Sequence, residues 1–102
     1  MITYFDNSAT TKPCPEAVDA VRALLENEWG NPSSVHRLGI QARQTLTRAR
    51  GQVAQTMGAE ERRVFFTSGG TEADNWAIFS ATGRLGKRGR HIITTAVEHH
   101  AV

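Results

Sequence analysis

The chain has 102 residues, 39% hydrophobic and 22% charged, with a formal net charge of +2. That length allows one small domain burying about 60–65% of its unfolded surface, and the composition is that of a soluble globular protein. So slight a basic excess makes no electrostatic case for nucleic acid, and the denser run Arg84, Lys87, Arg88, Arg90 reads as a solvated loop. Cys14 is the single cysteine, which excludes an internal disulfide. With no signal-type apolar region and no span of about 20 apolar residues, a cytoplasmic protein without membrane contact is expected.

In chain order, residues 2–5 form a β-prone run that ends at Asp6-Asn7-Ser8, residue types that favour turns. Pro13 and Pro15 frame a helix start. Ala17, Val18, Val21, Leu24, Leu25 and Trp29 then recur at helical spacing, which predicts a helix to about residue 28. Gly30-Asn31-Pro32-Ser33-Ser34 stops it. A second helix is expected over 36–57, with Ala42, Leu46, Ala49, Val53 and Met57 on one face, Arg43, Arg48 and Arg50 mostly off it, and Gly58 as its C-terminal cap. Residues 63–67 read as a strand, 72–82 as a helix and 91–97 as another strand. That order is a βαβ unit, and its near-continuous apolar strands favour a parallel sheet with a right-handed crossover.

Ligands of open α/β sheets gather beyond the carboxyl ends of the strands. The turn from Ser68 to Thr71 lies at one such end, and Glu98-His99-His100 at the other. Small residues opening directly into a helix expose backbone N–H groups where an anion can bind. Thr71 can equally well act as an ordinary N-cap, with Asp74 three residues on, and Glu72 and Asp74 would repel a phosphate placed close to them. Neither G-x-x-x-x-G-K-[ST] nor G-x-G-x-x-G follows the strand, which argues against a nucleotide. Adjacent His99 and His100 are expected to point in different directions. With one cysteine and no helical i, i+4 histidine pair, no metal centre is expected. A histidine beside an anion site can stack on a planar ligand or move protons near neutral pH.

Four blocks in register carry a resemblance: Phe5-Asp6-Asn7-Ser8-Ala9-Thr10-Thr11, Gly30-Asn31-Pro32-Ser33-Ser34-Val35-His36, Phe66-Thr67-Ser68-Gly69-Gly70-Thr71-Glu72-Ala73-Asp74-Asn75 and Glu98-His99-His100-Ala101-Val102. Together they resemble the N-terminal quarter of cysteine desulfurases, members of the class V aminotransferase group of fold-type I pyridoxal-phosphate enzymes. The resemblance implies an α/β fold, with residues 1–14 an arm of the small domain and 15–102 the first, truncated part of the large cofactor-binding domain. It implies removal of sulfur from L-cysteine to give L-alanine and an enzyme persulfide, destined for iron–sulfur cluster assembly or tRNA thiolation. The enzyme is expected to be a homodimer working with a sulfur-acceptor scaffold protein.

Carried over residue by residue, Gly70 and Thr71 would bind the phosphate of pyridoxal 5'-phosphate, and His99 would lie over its ring and take part in proton transfer. Asn7 and His36 would approach the substrate side. Ser8 stands where alanine is often found, and His100 where the family tolerates other residues. The lysine that holds the cofactor, the acid for its pyridine nitrogen, the arginine for the substrate carboxylate and the acceptor cysteine all lie, in the family, beyond the position of Val102. Lys12, Lys87 and Cys14 match none of these, so the chain by itself is expected to be an inactive, marginally stable fragment. The alternatives are another class V enzyme, such as a selenocysteine lyase or an aminotransferase, or a non-catalytic anion-binding module.

Overall fold

A computed structural model describes residues 2–86, 88, 89 and 91–102. Lys87 and Arg90 of the basic run lie outside the described residues. The chain divides into two compact units, one ending at Arg63 and one running from Val64 to Val102.

In the first unit, α1 spans Pro15–Asn27 with Pro15 at its first turn and Cys14 as N-cap. Proline belongs there because the first amides of a helix have no intrahelical partner to lose. Tyr4 organises the segment before α1: its hydroxyl lies 2.9 Å from the carbonyls of both Asp6 and Thr10, across a turn closed by Ala9 N–H to Asp6 O at 3.1 Å. Helix α2 spans Arg37–Thr56, with His36 as N-cap and Met57 as C-cap. Its end has both bonds of a Schellman motif. Gly58 N–H donates to Gln55 O at 3.2 Å and Ala59 N–H to Ala54 O at 2.9 Å, with Gly58 at φ 61°. The expected helix and its glycine cap are therefore present to within one residue. A single 3₁₀ turn, Glu61–Arg63, packs back against α2.

Between α1 and α2 the chain makes a close approach that glycine permits. A Cβ on Gly30 would lie 2.5 Å from Leu38 O, and one on Gly39 would collide with the carbonyl of Ser34. Asn31 Oδ1 accepts from Ser33 N–H at 2.9 Å, and Arg43 Nε donates to Pro32 O at 2.9 Å. Glu28, at the end of α1, accepts from the Thr45 hydroxyl of α2 at 2.6 Å. The loop ending at His36 is thus held by side chains from α2.

In the second unit, α3 spans Gly70–Leu85. It starts two residues earlier and ends three residues later than the spacing predicts, because Gly69 and not Thr71 is the N-cap and Gly83 is accommodated within the helix. Residues 64–67 before it and 91–95 after it are not helical, and Phe65 meets Trp76 of α3 edge-on with ring centroids 5.3 Å apart.

The expected strands at 63–67 and 91–97 do not appear, the β-prone run at 2–5 is likewise unpaired, and the βαβ unit and parallel sheet are absent among the described residues. A strand exists only through ladder hydrogen bonds to a neighbour, and none of these segments finds one. Residues 96 and 97 turn instead of continuing the last run. The apolar side chains meant for a covered sheet accordingly stand in solvent: Ile92 is 69% and Ile93 97% exposed.

Little is buried in either unit. Ala54 and Ala101 are the buried hydrophobic residues among those described, and α1 buries none of its apolar stripe. Helix α3 carries Trp76, Ile78, Phe79, Ala81 and Leu85 around much of its circumference. That pattern belongs to a helix covered on more than one side, yet Phe79 is 70% exposed. An apolar groove of about 430 Å³ opens beside Ile78, Thr82, Leu85 and Ile92.

Two predictions follow from this packing. The isolated chain will unfold without a sharp cooperative transition and will associate at micromolar concentration, as read by circular dichroism and sedimentation velocity; a monomer with a steep, high-temperature melt would contradict it. Gly58→Ala forces a Cβ into the left-handed region and will cost about 1–2 kcal/mol, measured by urea denaturation of the full-length protein.

Candidate functional site

The turn before α3 is built by its own side chains. Thr67 Oγ1 donates to Gly69 O at 3.1 Å, and the Glu72 carboxylate accepts from both the backbone N–H of Ser68 at 2.6 Å and the Ser68 hydroxyl at 2.7 Å. Glu72 is the third helical residue, and an acid there commonly reaches back to an unpartnered amide. Its carboxyl is held below its ordinary value of 4.5, chiefly by the Ser68 N–H and then by the Ser68 hydroxyl. The charge expected to repel an anion is therefore engaged one step behind the helix start.

Gly70 and Thr71 occupy the first two positions of α3. Neither amide makes a backbone hydrogen bond among the described residues, and Ala73 N–H to Gly69 O, at 3.1 Å, is the first bond of the helix. Of the two roles open for Thr71, capping is not the one found: Gly69 is the N-cap and Thr71 stands at the second helical position. A Cβ added to Gly69 or Gly70 would meet nothing within 4 Å. The turn thus offers amides, a hydroxyl and open space together.

His99 sits in a turn closed by Val102 N–H to His99 O at 2.9 Å. Its Nδ1 accepts the backbone N–H of Ala101 at 3.2 Å. Because an amide can only donate, Nδ1 carries no hydrogen and the neutral ring bears its hydrogen on Nε2. The rings of His99 and His100 lie face to face, with centroids 4.0 Å apart and planes tilted by 32°. This corrects the expectation that they diverge: the alternation of a strand does not apply, since 100 and 101 lie in a turn.

Asn75 joins the two elements. Its Nδ2 donates to Thr71 O at 2.9 Å and to Ala101 O at 3.0 Å. The first turn of α3 and the turn bearing His99 are each within one hydrogen bond of the same nitrogen. Sequence reading assigns Asn75 no role. The available signal is its place four residues after Thr71 on a helix face, a spacing that cannot reveal a partner 26 residues further on.

Asn7 and His36 belong to the other unit. Asn7 lies in the turn after Asp6, where its carbonyl accepts from the Thr11 hydroxyl at 3.3 Å, and exposed His36 caps α2 without a side-chain bond. Lys12 is exposed, as expected of a loop residue, and so is Cys14. No group of three or more metal-ligating side chains occurs among the described residues, nor is any of their helices long and apolar enough to cross a membrane.

The aminotransferase class-V family matches residues 3–102. The chain belongs to this family. Among its class-V relatives, a cysteine desulfurase from Trichormus azollae is 50% identical over 101 residues, covering 99% of this chain and 25% of the relative. A cysteine desulfurase IscS from Methanosarcina thermophila is 46% identical over 99 residues, covering 97% and 24%. A solved NifS-like protein superimposes with a TM-score of 0.88 at 39% identity, covering 99% of this chain and 28% of that one. The chain thus spans about a quarter of the length of the curated relatives it matches.

The Glu72 bonds carry a pH dependence of definite sign. A carboxyl depressed by folding adds stability above its unfolded value and loses it as pH falls through the folded one. Exchange protection of the Ser68 amide will therefore be constant above about 4.5 and decline below it. Glu72→Gln will flatten that profile, as measured by hydrogen exchange between pH 6 and 3.

Proposed function

We propose that this chain is the N-terminal part of a pyridoxal-phosphate-dependent cysteine desulfurase, acting on L-cysteine to yield L-alanine and an enzyme-bound persulfide for iron–sulfur cluster assembly or tRNA thiolation. In this reading residues 1–14 are an arm of a small domain and 15–102 the opening part of the large domain. The central parallel sheet forms when the segments at 64–67 and 91–95 gain ladder partners. The working enzyme is a homodimer in the cytoplasm and hands sulfur to an acceptor scaffold.

One observation carries the cofactor assignment. The amides of Gly70 and Thr71 make no backbone hydrogen bond among the described residues, a Cβ on Gly70 would meet open space, Thr71 is exposed, and Asn75 ties that turn to the one bearing His99. An anion's oxygens require N–H and O–H donors without competing partners, and the bonds from Ser68 keep the Glu72 carboxylate occupied. Gly70 and Thr71 hold the phosphate. His99 covers the ring, with a hydrogen on Nε2 available for donation. Asn7 and His36 bound the substrate side. Pyridoxal phosphate, when bound, supplies the electron sink that makes bonds at the substrate amino acid labile. Closeness to proteins named cysteine desulfurase supports this reading over another class-V reaction.

Thr71→Ala will weaken retention of pyridoxal phosphate in the full-length protein by about 1.5–3 kcal/mol, the range for a hydrogen bond to a charged group, measured by equilibrium dialysis. His99→Ala will lower the rate of alanine formation from L-cysteine more than it lowers cofactor retention. A folded full-length protein that retains no cofactor would instead be an anion-binding module. One that retains cofactor but forms no alanine from cysteine would be a different class-V enzyme.

A further inference from the structure

Both hydrogens of the Asn75 carboxamide are spent on main-chain carbonyls that belong to the two halves of the candidate site. One is the carbonyl of Thr71, the exposed second residue of α3. The other is the carbonyl of Ala101, whose own N–H is the group that meets His99 Nδ1. Ala101 is buried, and the two peptide units that meet at its Cα are both tied: its C=O accepts from Asn75 and its own N–H donates to His99 Nδ1. A side chain that fixes the Ala101 backbone therefore fixes the direction of the amide that selects the His99 tautomer. We infer that Asn75 is a positioning residue: it locks His99 in the Nε2–H tautomer and in register with the phosphate-binding turn at Thr71. This rests on the cofactor reading for what His99 and Thr71 hold, though the hydrogen-bond chain itself does not depend on it.

The physical requirement is for a donor of this length with two hydrogens. Aspartate has the same shape but presents lone pairs to two carbonyl oxygens, so it preserves volume while reversing both interactions. Alanine removes them. Loss of the Ala101 anchor frees its N–H to turn from Nδ1, and the imidazole then distributes its hydrogen between the two nitrogens.

The test uses the full-length protein carrying ¹⁵N-labelled histidine and alanine, with pyridoxal phosphate removed and restored. In the unsubstituted protein we expect imidazole nitrogen shifts of the Nε2–H form for His99 and a through-hydrogen-bond coupling between the Ala101 amide nitrogen and His99 Nδ1. In Asn75→Asp and Asn75→Ala the coupling should vanish and the tautomer ratio should shift roughly 2- to 12-fold toward Nδ1–H, the population change of one ordinary hydrogen bond. A merely space-filling Asn75 would leave the aspartate variant unchanged, and that result overturns the proposal. So does absence of the coupling in the folded, unsubstituted protein, a measurement that needs no variant to fold. Cofactor retention by the same unsubstituted sample tests the underlying reading separately: coupling without retention sinks the pyridoxal-phosphate assignment and leaves the positioning role of Asn75 standing.

Discussion

The geometry of the candidate site depends on one carboxamide bridging two backbone carbonyls. Hydrophobic burial cannot do this work here, because the unit from Val64 onward has Ala101 as its buried hydrophobic residue among those described. Where apolar packing is thin, directional bonds between groups of low exposure set the relative placement of elements, and their value rises with the exclusion of water around them. Asn75 and Ala101 are less exposed than most of the residues around them. The polar bridge thus sits at the point of this unit where it is least diluted by solvent.

The same economy appears at the helix start. A phosphate-binding turn must keep amides free while still satisfying the neighbouring ones, since a helix leaves its first N–H groups without partners. Glu72 reaches past the first helical residues to Ser68 and leaves Gly70 and Thr71 unengaged. The acid that looks hostile to an anion in the sequence therefore shapes the turn that would receive one. Membership of the class-V aminotransferase family gives this arrangement its chemical context.

Local signals were legible in the sequence wherever the interaction that forms them is local. Pro15 at a helix start, the apolar spacing of α2 and Gly58 at its end each act over a few residues, and all three are found as expected. The runs at 64–67 and 91–95 have β-prone composition, but their pairing depends on partners that these residues do not supply to one another. For Thr71 the sequence leaves capping and ligand binding both open, because Ser68, Gly69 and Gly70 all suit a turn and any of several residues can be the N-cap; in the structure that residue is Gly69. Gly70, Thr71 and His99 are candidates on their motif blocks alone, whereas the bridge from Asn75 to Ala101 spans too much sequence for any spacing rule.

The exposed circumference of α3 bears on the order of events during synthesis. Its helical contacts are local and form quickly as the chain leaves the ribosome, while non-local strand pairing is slow. Phe79, Ile92 and Ile93 would then face water as a sticky nascent surface. Such an interval favours association between neighbouring nascent chains and recruits chaperones. A helix apolar around much of its circumference, between two unpaired β-prone runs, is thus the part of the chain most exposed to such association.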